Sequence, residues 1–250
     1  MLPFRALYTV RRGRGDARRR ALWSVGAPPL WPVRGRIAGS HFSSGERVRT
    51  GGWPIPVLDP VTTALIVVDL QHGILSLPLT PHGGDQVLAR CAELGHALAN
   101  AGGIIVLVNV AYSDGYADRP NQPADAPMGL PADGLPVDWS TLAPAIAGLP
   151  AQVRITKRQQ SAFFGTELDL QLRRRGVVTV VVCGVATNFG VEATVRDAHN
   201  LNYAVVIPSD ACTSVSPGLH DFAVTWILPR FARVRDSAEI LDWLGTSPQV

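Results

Sequence analysis

The stretch VVTVVVCGVATNFGVEATVRD, Val177 to Asp197, decides how the rest of the chain is read. It opens with an unbroken apolar run, Val177 to Val182, whose length and bounding turn residues suit a strand buried on both faces. The run breaks at Cys183-Gly184. Thr187 and Asn188 both favour helix N-caps, and helical spacing begins at Val191, with Glu192 where the helix dipole favours an acid. A buried strand therefore runs straight into a helix. In open parallel sheets that junction, at the carboxyl end of a strand, is where ligands bind. The helix start also brings backbone N–H groups that can hold an anion or a developing oxyanion.

Outward from this junction the same alternation recurs. Ala64 to Asp69 (ALIVVD) reads as a first strand ending in an acid. Asp85 to Ala101 puts Val87, Leu88, Cys91, Leu94 and Leu98 on one helical face and stops at Gly102-Gly103. Ile104 to Val110 is a second buried strand. Residues 111–150 are dense in Pro, Gly and Asp, an irregular excursion of the kind that serves as a lid or a subunit contact. Val153 to Ile155 is a short third strand, followed by Lys157. Thr166 is expected to cap a helix through Arg175, with Asp169 completing a weak capping box. After the Val177 stretch come a fifth strand (Tyr203 to Ile207), a helix from Pro217 to Leu228, a sixth strand (Phe231 to Val234) and a last helix (Ser237 to Leu244). Strand and helix alternate with no repeat in sequence. This predicts a single α/β domain over residues 59–250, with a six-stranded parallel sheet, helices on both faces and right-handed crossovers.

The charge is unevenly spread. The net charge is +3, yet residues 1–50 hold eleven Arg and only two acids, Asp16 and Glu46. The remaining residues hold twelve basic and eighteen acidic side chains, so the folded part is acidic and no nucleic-acid partner is expected. Residues 1–58, rich in Arg, Gly and Pro, read as a disordered extension. No apolar h-region follows its arginines, so it is not a secretory signal. An Arg-rich, acid-poor leader also resembles an organelle transit peptide, and that alternative stays open. No apolar run approaches the roughly 18 residues that would span a bilayer. The three cysteines, Cys91, Cys183 and Cys212, are odd in number and lack metal-ligand spacing. They read as free thiols of a reducing compartment, and the expected location is cytoplasmic.

Three groups fall at the carboxyl edge of such a sheet: Asp69 after the first strand, Lys157 after the third, and the 184–190 turn after the fourth. A carboxylate beside an ammonium stays ionised unless burial competes, and its role as acid or base follows that balance. Taken one at a time, each has a plainer reading: Asp69 as a loop cap, Lys157 as a solvated cation.

TTALIVVDLQ, ITKRQQSAFFGTEL and VVVCGVATNFGVEATVRDAHNLNYAVVIPSDAC, in this order and spacing, resemble the isochorismatase-like hydrolase superfamily over roughly residues 60–240. The resemblance implies a Rossmann-like sandwich, frequent homo-oligomers, and hydrolysis of amides and related C–N bonds by an Asp, a Lys and a Cys. Asp69 matches the Asp and Lys157 the Lys. Val185-Ala186 matches a non-proline cis peptide that helps form the oxyanion hole, so Ala186, Thr187, Asn188 and Gly190 are the expected oxyanion and substrate-binding positions, with Phe164 as a pocket wall. The family motif carries Cys where this chain has Gly190. Glycine cannot form a thioester, which excludes a covalent mechanism at this position. Isochorismatases proper also carry Gly there and cleave a vinyl ether by protonation, but they hold substrate with a Gln after the second strand. Here that region reads Val110-Ala111-Tyr112-Ser113-Asp114. A group of bacterial family members with this Gly resembles the chain most closely.

Nicotinamidase-like members bind a metal through Asp-X-His after the second strand; this segment reads Asp114-Gly115-Tyr116, so no metal and no cofactor are expected. His72 and His82 are read as loop residues, and Cys183 as a core thiol. The resulting expectation is a hydrolase of a small metabolite, with Asp69 as general acid/base assisted by Lys157. The alternative is a catalytically silent member that binds a small ligand or serves an assembly. A homo-oligomer is expected in either case.

Overall fold

The computed structural model describes residues 58–127 and 129–245; the N-terminal extension expected over residues 1–58 lies outside them except for Leu58, which is buried in the core. In chain order the elements are β1 (Thr63–Val68), α1 (His72–Leu75), α2 (Gly84–Asn100), β2 (Ile104–Val110), α3 (Pro144–Ala147) and β3 (Val153–Lys157). There follow α4 (Leu168–Arg174), β4 (Thr179–Val185), α5 (Glu192–Asn200), β5 (Ala204–Pro208), β6 (Cys212–Thr213), α6 (Pro217–Phe222), β7 (Arg233–Arg235) and α7 (Ser237–Gly245).

The sheet runs β3-β2-β1-β4-β5-β7, and every pairing is parallel. The six strands expected from sequence are present. The two-residue β6 is a seventh, pairing with the end of β4 through Gly184↔Cys212 and Val185↔Thr213. Strand order reverses direction at β1. The chain moves outward one way to β2 and β3, then returns to β1's other edge with β4 and continues to β5. Right-handed crossovers on the two halves put their helices on opposite faces. All of β1 and six of β4's seven residues are buried, which is why neither alternates in sequence. The edge strand β3 does alternate, with Val153, Ile155 and Lys157 inward and Arg154 and Thr156 outward. That alternation carries Lys157 into the interior.

Several boundaries move. β4 begins at Thr179 and continues through Cys183-Gly184 to Val185, where a break was expected. Gly184 keeps the ladder intact with φ of +115°, and a Cβ there would lie 2.1 Å from Val68 O. Only glycine lets β1 and β4 approach this closely. The helix expected over residues 217–228 is broken. α6 gives way to a π-helical turn, Ala223–Ile227, and a 3-10 turn, Leu228–Arg230, with Pro229 removing a helix donor.

Candidate active site

The reversal between β1 and β4 is a topological switch point, and open α/β sheets bind ligands beyond the strand ends there. Asp69 follows β1 directly. Its φ of 53° places it in the left-handed region, which Asp tolerates better than most residues. Its N–H is tied to Val108 O at 2.9 Å. Asp69 Oδ2 meets Lys157 Nζ at 2.7 Å, with both side chains nearly inaccessible. Lys157 Nζ donates a second bond to Gln159 O at 3.1 Å. Asp69 Oδ1 is buried and has no hydrogen-bond partner among the described residues. Burial pushes the Asp69 carboxyl up to about 6 from 3.8, against the opposing pull of Lys157's charge and hydrogen bond. The carboxyl thus has two distinct oxygens. One is anchored to a cation and the other is buried without a partner, and a carboxyl raised in this way suits general acid or base chemistry.

The turn after β4 supplies the opposite wall. The Val185–Ala186 peptide is cis. Thr187–Val191 forms a single π-helical turn, and α5 starts only at Glu192. A Cβ on Gly190 would stand 3.3 Å from Asp69 Oδ2 and 3.2 Å from Val68 Cγ1, so this glycine directly faces the carboxylate. Thr187 and Asn188 do not cap the helix as their types suggested. Thr187 Oγ1 donates to Thr213 O at 3.0 Å and lies 2.9 Å from His220 Nδ1. A hydroxyl has one hydrogen, so that ring nitrogen is the donor and His220 presents its Nδ1–H to Thr187. Burial, and then the charge of His82, hold His220 below its ordinary pKa. Asn188 Oδ1 accepts from Ser214 Oγ at 2.6 Å. Thr194 Oγ1 donates to Gly190 O at 2.7 Å and accepts from Ala162 N at 3.0 Å, which ties the turn to the loop after Lys157. The turn is thus held by β6 and its flanks.

The third wall is built by residues 111–140. Gln71, two residues past Asp69 and wholly buried, stitches it down. Its Oε1 accepts from Val110 N at 2.8 Å, while Nε2 donates to Val110 O at 3.0 Å and Trp139 O at 3.1 Å. Trp139 lies over Gly73, where a Cβ would come within 1.8 Å of the indole, and it stacks on Tyr112 at 6.1 Å and 23°. Tyr116 OH accepts from Leu135 N at 2.8 Å. Between these groups lies a cavity of about 270 Å³ lined by Tyr112, Ser113, Tyr116, Leu135, Trp139 and Ser140 among others. Its lining stops short of Asp69 and Lys157, yet Asp69's charge is felt at Tyr112. There burial, first, and the nearby carboxylates push the phenol up, against Arg119 and Arg158.

Of the residues expected from sequence, Asp69, Lys157 and Gly190 converge, and Ala186, Thr187 and Asn188 form the turn beside them. Phe164, expected as a pocket wall, is 65 % exposed and does not line the cavity, while Phe163 is the buried member of the pair and packs on Tyr203. Asp169 turns away from the expected capping box to Arg173 and Tyr203, whereas Thr166 Oγ1 does receive Leu168 N at 3.2 Å. His72 pairs with Asp138 at the surface, and His82 packs edge-on against His220. All three thiols are buried. A hydrogen bond with Cys91, then burial, raises the Cys183 thiol, and burial raises Cys212. No cluster of three His, Cys, Asp or Glu able to hold a metal occurs among the described residues. None of their helices is long and apolar enough to cross a membrane. Gln71, Tyr112, Trp139 and His220 were not singled out from sequence. For Gln71 the available signal was its place two residues after a strand-end acid.

Residues 63–239 match the family model described as the isochorismatase domain. An isochorismatase family protein of Escherichia coli O157:H7, itself described as uncharacterised, is 44% identical over 187 residues, covering 75% of this chain and 98% of the relative. The ureidoacrylate amidohydrolase of Methylobacterium radiotolerans is 33% identical over 250 residues, covering 87% of this chain and 94% of its own length. A solved structure of an isochorismatase family protein from Burkholderia thailandensis is 41% identical with a TM-score of 0.72, over 77% of this chain and 100% of that one.

Proposed function

The chain belongs to the isochorismatase family, and from that premise we propose that it hydrolyses a small metabolite without a cysteine nucleophile, with Asp69 as general acid/base assisted by Lys157. The observation that carries this reading is the divided Asp69 carboxyl, with Oδ2 held by Lys157 and Oδ1 buried without a partner at a pKa of about 6. A proton passes from Oδ1 to the reacting group of the substrate. Water adds at the adjoining carbon, the C–O or C–N bond breaks, and the proton that water loses returns to the carboxylate. Lys157 keeps the carboxyl from rising further and stabilises its charged form between turnovers. By the resemblance, Gly190 stands where a thiol would be; a Cβ there would already come within 3.2 Å of Val68 Cγ1 and 3.3 Å of Asp69 Oδ2, so the glycine lets the turn pack close against the carboxylate. None of the three cysteines substitutes, because each is buried and those at 183 and 212 are held protonated by their surroundings.

A screen against a library of amides, carbamoyl compounds and enol ethers identifies the substrate. With it in hand, Asp69→Asn is expected to lower kcat by at least about 100-fold, and Lys157→Ala to lower it as well, while iodoacetamide leaves the native enzyme unaffected. Inactivation by iodoacetamide that substrate prevents would overturn the mechanism. The second reading, a silent member that binds a ligand or serves an assembly, is favoured by Gly190 alone. It gives no turnover in any arm of the screen, with Asp69→Asn changing ligand affinity only. Either reading takes a small-molecule ligand and a homo-oligomer of this chain.

A further inference from the structure

Asp69 is enclosed from two sides by parts of the chain that stand apart in the sheet. Lys157 comes from β3 and the Gly190 turn from β4, and β2 and β1 lie between these strands. We infer that Thr194 is a positioning residue of the site: its hydroxyl couples the chain that follows Lys157 to the turn that faces Asp69, and so sets how closely the two enclose the carboxyl. Its bearing on the reaction rests on Asp69 as the acid/base.

Thr194 lies on α5 and is wholly buried. Its Oγ1 donates to Gly190 O, four residues back, at 2.7 Å. Taken alone, that bond is the ordinary one of a helical threonine. The second bond departs from the ordinary pattern. The same oxygen accepts from Ala162 N at 3.0 Å, 32 residues away in the chain. A hydroxyl has one hydrogen and two lone pairs, so both bonds form at once and one atom holds both segments. Towards the turn, the link ends at Gly190, where a Cβ would stand 3.3 Å from Asp69 Oδ2. In the other direction it ends in the stretch after Lys157. Gln159 O there accepts one hydrogen bond of Lys157 Nζ, while Asp69 Oδ2 accepts another. Ala162 is itself wholly buried, and its carbonyl accepts from Thr166 Oγ1 at 2.6 Å, which fixes the stretch to the start of α4. A ring of contacts therefore runs from Asp69 through Lys157, Gln159, Ala162, Thr194 and Gly190, and back to Asp69.

What the ring supplies is exclusion of water. Burial is the largest influence on the Asp69 carboxyl, and it outweighs the pull of Lys157. Lys157 from β3 and the Tyr112 phenol beyond β2 are the titratable groups that face Asp69, and the 186–191 turn brings none. Loss of the Thr194 hydroxyl leaves the Ala162 N–H unsatisfied in the interior, a cost relieved when the two segments part and water enters. Asp69 then recovers solvent, and its proton is held less tightly.

The test follows the aspartate carboxyl groups of the full-length protein by carbon-13 NMR, the Asp69 resonance being the one absent from Asp69→Asn. It is expected to titrate near 6 in the native protein. Thr194→Ser, which keeps the hydroxyl, should leave the midpoint there, and Thr194→Val should lower it by at least about half a pH unit. Thr194→Ala removes the hydroxyl without placing a methyl group there, and it should show the same shift if the valine variant does not fold. A threonine that served the helix alone would lower the melting temperature and leave the titration in place, so an unchanged midpoint on loss of the hydroxyl overturns the inference. A native Asp69 titrating near 3.8 would instead overturn the acid/base reading. The coupling is then judged by the Ala162 amide proton. It should exchange slowly in the native protein and Thr194→Ser, and at least about tenfold faster in Thr194→Val; equal exchange in all three overturns it.

Discussion

Asp69 combines two demands that pull its pKa in opposite directions, and burial prevails. The consequence for stability has a definite sign. The folded pKa of about 6 lies above the ordinary 3.8, so the folded protein holds this proton more tightly than the unfolded chain does. The contribution is fully present below about pH 3.8 and is lost as pH rises through about 6. At about 1.4 kcal/mol per pH unit it amounts to about 3 kcal/mol. Asp69→Asn carries no such proton. Denaturant unfolding of both proteins should therefore show the difference in ΔG moving by about 3 kcal/mol in the variant's favour between about pH 4 and pH 7; a difference that stays level with pH contradicts the shifted carboxyl. The same window limits the acid role, so turnover should fall above about pH 6. Sequence placed Asp69 and Lys157 after the first and third strands, and the family resemblance singled them out, although each taken alone read more plainly as a loop cap and a solvated cation. It gave no access to the splitting of the two carboxylate oxygens, which depends on what burial leaves unpaired.

At the scale of elements, the turn after β4 is the part where local propensity misleads. Thr187 and Asn188 look like caps, yet their side chains are spent on Thr213, His220 and Ser214, partners 26 to 33 residues away. Tertiary partners outbid the helix terminus, and the first turn becomes π-helical. The strand β6 that receives Thr187 is two residues long, too short for any hydrophobic period to reveal. Thr187→Val keeps the volume but leaves Thr213 O and His220 Nδ1 without their partner. It should cost about 1–3 kcal/mol, read as a fall in Tm of about 2–10 °C, while Thr187→Ser should lose much less. Equal melting of Thr187→Val and the native protein would mean the hydroxyl does not hold the turn. Residues 111–140 show the opposite case. Their composition signalled a functional excursion, but not the Gln71 and Gly73 contacts that seat Trp139 against it.

For the whole molecule, alternation of strands and helices was enough to reach the parallel sheet, since each crossover has one allowed hand. Whether the chain assembles with a second copy is less legible. Leu228 is in the core, whereas Leu219, Phe222 and Trp226 remain exposed, Trp226 at 61 %. Their spacing puts them on one side of α6 and the turn that follows it, and we expect this face to be covered by a second copy. Light scattering at micromolar concentration should give a mass above that of one chain, and Phe222→Glu with Trp226→Glu should lower it; a monomeric native protein would sink the expectation. The sheet order also governs how the protein comes to exist. β1 pairs with β2 soon after both are made, but its other edge waits for β4, roughly 110 residues later in the chain. At about 5–20 residues per second that edge stands open on the ribosome for on the order of ten seconds. It is a strand apolar from Ala64 to Val68, with unpaired N–H and C=O groups along that edge until β4 arrives. The seam that will carry the site thus closes late during synthesis, after β2 and β3 have been made, and until then the nascent chain is exposed to mispairing at the strand that ends in Asp69.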